Sequence, residues 1–126
     1  MPRKAPSRRI LIQRLDKAFS RHIRKKAANH GGWCECVTCG LSVPWEDIHA
    51  GHFIPRGNHV LRWDTRNVHP QCCGCNTYRG GNLIEYTLFI QKKYGQDTLE
   101  ELVRLKHTNK RHTVQELKDL LEFYSE

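Results

Sequence analysis

CECVTC at residues 34–39 and CCGC at residues 72–75 are the two stretches that decide the fold of this 126-residue chain. Each contains a CxxC pair, Cys36 with Cys39 and Cys72 with Cys75, and a two-residue gap lets both thiolates of a turn face one ion. Two such pairs supply the four tetrahedral ligands of a structural zinc, so the spacing predicts a Zn²⁺ site that joins two distant parts of the chain.

Disulfide bonds are the alternative use of these cysteines. The first seven residues lead straight into charged sequence rather than into an apolar signal core, which predicts a cytoplasmic, reducing compartment and favours zinc. Cys34 and Cys73 remain outside the two pairs. They are either buried small side chains or substitutes for Cys36 and Cys72, and spacing alone leaves both open.

Positive charge is concentrated at the N-terminus. The chain has 21 Lys and Arg against 13 Asp and Glu, a formal charge of +8, and residues 1–30 hold ten of the basic residues with one acid. Such a block typically binds phosphate, because neutralising a polyanion releases its counterions, and the alternative is a solvated arm. The predicted DNA-binding side chains of this block are Arg8, Arg9, Arg14, Lys17, Arg21, Arg24, Lys25 and Lys26.

The sequence contains no run of eighteen apolar residues, so we expect no membrane-spanning segment.

Helical periodicity flanks the cysteine-rich centre. Ile12, Leu15, Phe19 and Ile23 recur at spacings of three and four and predict a helix. After Gly80-Gly81, Asn82 and Asp97 are candidate caps of two further helices, and Thr113 to Glu116 has the form of a capping box. We therefore predict one compact domain in three parts: a basic arm and helix (1–32), a zinc-stapled core (33–95) and C-terminal helices (96–126).

The segment between the cysteine pairs carries polar residues in a recognisable pattern. AGHFIPR (50–56), RNVHP (66–70) and Cys75-Asn76 resemble the HNH nucleases, in which two short strands and a helix surround one divalent metal. The longer stretches GHFIPRG, LRWDTRNVHPQC and GGNLIEY are similar to the phage recombination nucleases of the NinG (Rap) family. The resemblance implies a small α+β domain whose core is a ββα-metal, treble-clef-like unit.

The resemblance also implies roles for three residues. His52 matches the general base that takes a proton from the attacking water, and an imidazole suits this because it titrates near working pH. The alternative is a structural histidine that only hydrogen-bonds a carbonyl of the loop. Asn67 matches the residue that orients this histidine. Asn76, which the resemblance places at the start of the helix, matches a ligand of the catalytic metal, and an amide oxygen favours Mg²⁺ or Mn²⁺ over zinc.

One position departs from the HNH pattern. Many HNH nucleases have Asp or His directly before the base, whereas this chain has Gly51, which offers no ligand. His49 is the nearest substitute, although along a strand it shares a face with Gly51 rather than with His52. The remaining candidates are Asp47, Asp64, Glu85 and additional waters on the metal.

The residues and the resemblance together predict an HNH endonuclease that hydrolyses DNA. Arg56 and Arg66 are candidates for further phosphate contacts, and the alternative for each is a solvated or ion-paired surface group. The NinG resemblance implies branched substrates, Holliday junctions and displacement loops, in phage recombination inside the bacterial host. Resolving a four-way junction needs two sites, so we expect a homodimer. A non-catalytic zinc-stapled DNA-binding module and an HNH enzyme that nicks ordinary duplex are the alternatives. Because residues 31–96 carry only +1, we also expect cutting and DNA binding to be separable. Removing residues 1–30 should weaken DNA affinity and flatten its salt dependence while the zinc-stapled site still folds.

Overall fold

The computed structural model describes residues 4–125 and has a mixed α+β architecture, which confirms the predicted fold class at that level. Residues 1–3 of the predicted N-terminal arm lie outside the described residues. Within residues 4–125, no helix combines the length and apolar character needed to cross a membrane. The elements, in chain order, are α1 (Arg8–Ala27), β1 (Trp33–Glu35), β2 (Ser42–Pro44), β3 (His49–His52), β4 (Val68–Gln71), a π-helical segment (Gly74–Tyr78), α2 (Leu83–Tyr94), α3 (Gln96–Leu105) and α4 (Val114–Tyr124).

Helix α1 is an integral part of the hydrophobic core. The Ser7 hydroxyl caps it by accepting a hydrogen bond from the Ile10 amide at 3.3 Å, the usual role of a serine at this position. Its buried face supplies four of the seven buried side chains in one core cluster, so deleting residues 1–30 would remove most of that cluster. Helix α1 is thus not a separable arm, and the folding of the zinc-stapled site without residues 1–30 stays a prediction. The cluster consists of Leu11, Leu15, Phe19, Ile23, Trp63, Val68 and Leu117.

Strands β3 and β4 form an antiparallel pair at the centre of the molecule. His52 lies opposite Val68, and Gly51 lies opposite His69. Since side chains alternate along a strand, His52 projects to one face of the pair while His49 and Gly51 share the other. A second antiparallel pair, β1 with β2, lies beside the cysteine turn, where the Cys36 amide donates to the Leu41 carbonyl at 2.8 Å.

Helices α2 and α3 build a second core against the loop between β3 and β4. Tyr86, Ile90 and Leu102 are fully buried there, whereas the apolar residues Leu83 and Ile84 at the start of α2 are exposed. The members of this cluster are Phe53, Ile54, Leu61, Tyr86, Ile90, Leu99 and Leu102.

The helix caps differ in part from the sequence prediction. Thr113 and Glu116 form the predicted capping box, each side chain accepting a hydrogen bond from the other residue's amide, at 3.1 and 2.8 Å respectively. Asn82 precedes α2 as predicted but has a left-handed backbone (φ 48°), and its side chain does not cap the helix. Asp97 lies in the first turn of α3, and the residue before that helix is Gly95, whose φ of 93° suits glycine.

Candidate functional site

Four cysteines converge at one end of the β3–β4 pair. The Sγ atoms of Cys36, Cys39, Cys72 and Cys75 all lie within 4.8 Å of one another. The Cys39 and Cys72 sulfurs are 3.7 Å apart, close to the edge of about 3.8 Å of a tetrahedron with Zn–S bonds of about 2.3 Å. All six cysteines of the chain are free thiols, which disfavours the disulfide alternative. The four clustered cysteines could therefore hold a zinc ion, as the sequence predicts.

Polar groups around the cluster favour ionised sulfur. Thr38 lies 3.3 Å from Cys36 Sγ, and the Asn82 side-chain amide donates to Cys75 Sγ at 3.6 Å. Burial opposes ionisation of Cys36, yet the Thr38 hydroxyl and nearby backbone amides lower the pKa of its thiol to about 6. Four adjacent thiolates repel one another, so the whole cluster can ionise only around a cation.

The two remaining cysteines take no part in this cluster. Cys34 is buried, and its thiol donates to the Arg24 carbonyl at 3.1 Å. Cys73 is exposed. Neither residue substitutes for Cys36 or Cys72. Cys34 is thus the buried small side chain of the first alternative, whereas Cys73 fits neither alternative.

His52 is held in a defined tautomer at the end of β3. Its Nε2 lies 2.9 Å from the backbone carbonyl of Arg62, and a carbonyl can only accept, so Nε2 carries the proton. Burial lowers the pKa of His52 below its usual range, opposed by the Arg62 carbonyl and the Asp16 carboxylate. At neutral pH the ring is therefore uncharged, and the lone pair on Nδ1 is available to accept a proton.

Asn67 acts on the loop that follows His52 rather than on the histidine itself. It is fully buried, and its Oδ1 accepts a hydrogen bond from the Ile54 amide at 2.8 Å. Its Nδ2 donates to the Ile54 carbonyl at 2.9 Å and to the Leu61 carbonyl at 3.1 Å. These bonds fix both ends of the 54–61 loop, which leads into the Arg62 carbonyl that orients His52.

Asn76 lies within the π-helical segment, not at the start of an α-helix as the sequence predicts. Its Nδ2 donates to His49 Nδ1 at 3.1 Å, which leaves Oδ1 free to act as a ligand atom. His49 therefore lies close to Asn76, but its Nδ1 is occupied in orienting the amide. Asn76 also lines the same cavity as His52, while His49 does not.

The glycine at position 51, in place of the Asp or His of many HNH nucleases, has a steric explanation. A Cβ atom at this position would lie 2.7 Å from Gln71 Cδ and closer still to Gln71 Oε1, so a larger residue would displace the Gln71 side chain. Gln71 is fully buried and donates to Thr38 Oγ1 at 3.1 Å and to the Gly81 carbonyl at 2.8 Å. The glycine thus admits a side chain that links the cysteine cluster to the turn before α2.

The His52 cavity has a volume of about 400 Å³ and is lined by residues that the sequence did not single out. Arg62 lines it together with the predicted Arg56, and so does Asp16 of α1. Arg62 forms two hydrogen bonds to the Asp16 carboxylate, at 3.0 and 2.6 Å. The one signal in the sequence is that Asp16 is the only acid in residues 1–30.

Several predicted contacts lie elsewhere. Arg66 is held in ion pairs with Asp64 at 2.8 Å and Glu101 at 2.7 Å, so the structure does not bring it to the cavity as a phosphate contact. These partners raise the pKa of the Arg66 guanidinium above its ordinary value despite its burial. None of the alternative ligands Asp47, Asp64 and Glu85 lines the cavity.

A second, basic groove lies between α1 and α4. It has a volume of about 980 Å³, and no carboxylate from the described part of the chain lines it. The predicted DNA-binding residues Arg8 and Arg24 are not part of it, because Arg8 donates to the His112 carbonyl and Arg24 to the Trp45 carbonyl. Its basic lining is formed by Arg14, Lys17, Arg21, Lys25 and Lys26.

Comparison with known proteins points to one phage family. A family model described as Bacteriophage Lambda NinG protein matches residues 3–126. Protein ninG of Escherichia phage 933W is 30% identical over 118 residues, which cover 91% of this chain and 55% of that protein. The proteins ninG of Escherichia phage lambda and Salmonella phage P22 are each 29% identical over 118 residues, covering 91% of this chain and 54% of theirs. The chain spans about half the length of these relatives, and no solved structure matches it significantly.

Proposed function

The chain belongs to the NinG family of bacteriophage proteins, and from this we propose that it is a metal-dependent HNH-type endonuclease that hydrolyses DNA phosphodiester bonds. The observation that carries the proposal is the state of His52. Its Nε2 proton is committed to the Arg62 carbonyl at 2.9 Å, and the ring lines a cavity together with Asn76 and Arg56. A neutral imidazole with a free Nδ1 in a polar cavity is what a general base requires.

In the proposed reaction, His52 Nδ1 takes a proton from a water molecule. The water oxygen forms a bond to phosphorus as the bond from phosphorus to the 3′ oxygen breaks. The leaving 3′ oxygen takes a proton from solvent and the His52 imidazolium releases its proton to solvent, which leaves a 5′-phosphate and a 3′-hydroxyl end. The hydrogen bond to Arg62 stabilises the imidazolium that forms, because a protonated ring donates more strongly to a carbonyl.

A divalent ion fits beside Asn76. A bound Mg²⁺ or Mn²⁺ would supply charge stabilisation for the phosphate and the leaving 3′ oxygen. Asn76 Oδ1 is the ligand atom, and the bond from Asn76 Nδ2 to His49 sets the direction of the amide. Within the described residues, three or more Cys, His, Asp or Glu side chains converge on one point only at the four cysteines. With Asn76 as the one proposed protein ligand, the ion would keep several waters, as Mg²⁺ commonly does, while zinc would have a structural role at the cysteines.

The basic groove supplies a surface for the DNA backbone. It lies on α1, the same helix that borders the His52 cavity through Asp16 and Ser20. Arg56 lies at the cavity with two thirds of its side chain exposed, so it can contact a phosphate there. DNA bound along α1 would thus pass from the groove to the cavity.

Branched recombination intermediates, Holliday junctions and displacement loops, are the proposed substrates, and the host cell is the proposed site of action. This part of the proposal rests on the NinG resemblance. Two strands must be cut to resolve a four-way junction, which requires two active sites and favours a homodimer.

A cleavage assay tests the proposal. The zinc-loaded wild type, His52→Ala and the exposed control His30→Ala are incubated with labelled junction, displacement-loop, duplex and single-stranded DNA, with Mg²⁺, Mn²⁺ or EDTA. We expect wild type and His30→Ala to cut junctions in either metal and to be inactive in EDTA. Removal of the base should lower the rate at least about 100-fold.

Two outcomes would contradict parts of the proposal. If the wild type leaves every substrate intact while still binding DNA, the chain is a zinc-stapled DNA-binding module, the function that the basic groove alone would support. If it cuts duplex as fast as junctions, the preference for branched DNA fails and the nuclease remains. Sedimentation of the junction complex tests the dimer.

A further inference from the structure

Asp16 is an exception on its helix. Residues 8–27 carry eight basic side chains and this single acid. A carboxylate on a helix that binds DNA weakens the attraction to phosphate. Its presence therefore calls for an explanation other than DNA affinity, and its contacts supply one.

The Asp16 carboxylate accepts three hydrogen bonds from two consecutive residues of the 54–67 segment. Arg62 donates from Nε to Oδ1 at 3.0 Å and from Nη2 to Oδ2 at 2.6 Å. The Trp63 indole donates to Oδ1 at 3.0 Å. The Arg62 side chain is only 14% exposed and that of Asp16 25%. This bidentate pair is therefore well shielded from water, which strengthens its charge-assisted hydrogen bonds.

These contacts fix the acceptor of the His52 hydrogen bond. The carbonyl that accepts from His52 Nε2 at 2.9 Å belongs to Arg62, and it lies between two side chains that Asp16 holds. The same guanidinium also donates to the Arg56 carbonyl at 3.3 Å, which ties the preceding turn to the pair. Movement of the carbonyl would require breaking the bonds to Asp16 as well.

We propose that Asp16 is a positioning residue for His52: through Arg62 and Trp63 it fixes the carbonyl that holds the imidazole in its Nε2-protonated tautomer. This extends the proposed function, in which His52 is the base, and it links the basic helix directly to the orientation of that base. Asp16 thus contributes to the rate of cleavage and reduces DNA affinity. Arg62, with its guanidinium held by Asp16, is part of this support and does not bind phosphate.

The main variant is Asp16→Asn, which keeps the size of the side chain but loses the charge and the bidentate pair. Asp97→Asn, an exposed acid in the first turn of α3, is the matched control. Two measurements are made on the zinc-loaded chain. Long-range ¹H–¹⁵N NMR of histidine reports the tautomer of His52, and single-turnover cleavage is compared with DNA affinity.

We expect His52 to be Nε2-protonated in the wild type and in Asp97→Asn, and to become a mixture of tautomers in Asp16→Asn. The cleavage rate should fall about 10- to 100-fold, the scale expected for a misplaced catalytic group. DNA affinity should stay equal or rise, because a negative charge has been removed. Asp16→Glu, which can restore the charge, should recover part of the rate.

An unchanged tautomer together with an unchanged cleavage rate in Asp16→Asn would overturn the inference. Because NMR does not depend on activity, a chain that cuts no DNA would refute the proposed nuclease while the tautomer still tests Asp16. If Asp16→Asn does not fold, Arg62→Lys replaces it. Lysine keeps the charge but cannot form two parallel hydrogen bonds, so the same two changes are expected.

Discussion

Replacement of Asn67 by alanine should destabilise the protein by several kcal/mol. The side chain is fully buried and makes three hydrogen bonds, to the amide and carbonyl of Ile54 and to the carbonyl of Leu61. The Leu61 carbonyl also accepts from the Asp64 amide at 3.3 Å, so Asn67→Ala leaves chiefly the two Ile54 groups unpaired. Each unpaired buried group costs about 1–3 kcal/mol, so we expect a loss of about 4 kcal/mol.

The loss is measured by urea unfolding of the zinc-loaded chain, followed by the fluorescence of the buried Trp63. Asn109→Ala, in the exposed loop before α4, is the matched control and should change stability by less than about 0.5 kcal/mol. Where Asn67→Ala remains folded, cleavage should fall as well, because the 54–61 loop carries the chain from His52 to Arg62. A stability within about 1 kcal/mol of the wild type would refute the role assigned to Asn67.

A second substitution at the same position separates hydrogen-bond geometry from size. Asn67→Asp keeps the oxygen that accepts from the Ile54 amide but replaces the amide nitrogen with a second oxygen, which faces the carbonyls of Ile54 and Leu61. The buried carboxylate is disfavoured in the folded state, so its folded pKa lies above the unfolded value. The variant should therefore become more stable relative to wild type as pH falls through that folded pKa. The opposite trend would contradict the assigned amide orientation.

Three further predictions concern the metal, pH and DNA. Cys75→Ser should lose the bound zinc, and the protein should lose its cooperative melting transition, since a structural zinc contributes about 10–16 kcal/mol to folding. The control Cys73→Ser should keep one zinc per chain, as measured by metal analysis. Burial and Lys93 lower the pKa of His69 from 6.5 to about 4, so its contribution to stability is complete above pH 6.5. The free energy of unfolding should fall by about 3 kcal/mol as pH falls from 6.5 toward 4. Urea unfolding at several pH values should show a smaller fall in His69→Gln, which lacks the imidazole. In the basic groove, Lys17→Glu should weaken DNA binding and reduce the slope of log affinity against log salt concentration by about 1, and Arg21→Glu should do the same. Lys118→Glu, on the outer face of α4, should do neither. Equal effects of all three variants would show that only net charge matters.

Local patterns carried most of the fold that could be predicted. The CxxC spacing, the apolar period of α1 and the capping box of α4 each depend on residues a few positions apart, and each agrees with the structure. Exposed Leu83 and Ile84 show the limit of such patterns. The spacing of apolar residues indicates a helix, but which of those residues become buried depends on the elements that pack against the helix.

The residues of the candidate site could be predicted from the sequence, but the contacts around them could not. His52, Asn67 and Asn76 could be selected from the sequence, because their types and spacing resemble a known motif. Their surroundings could not be predicted. Arg66 has the same chemistry as Arg56, yet its ion pairs to Asp64 and Glu101 are short, at 2.8 and 2.7 Å, whereas the Arg56 pair to Asp16 is 3.9 Å long and leaves that side chain two thirds exposed. Only tertiary contacts distinguish the two.

By itself the sequence determined the four cysteines that could hold a zinc ion, the helical segments and the location of the positive charge, since these follow from spacing and composition. Tertiary structure alone decided that α1 is part of the core and that Gly51 makes room for Gln71. It also decided that Asp16, 46 residues before Arg62, supports the carbonyl that orients His52. The reason is physical: a hydrogen bond or a packed contact depends on distances of a few ångströms, and residues far apart in the chain acquire those distances only when it folds.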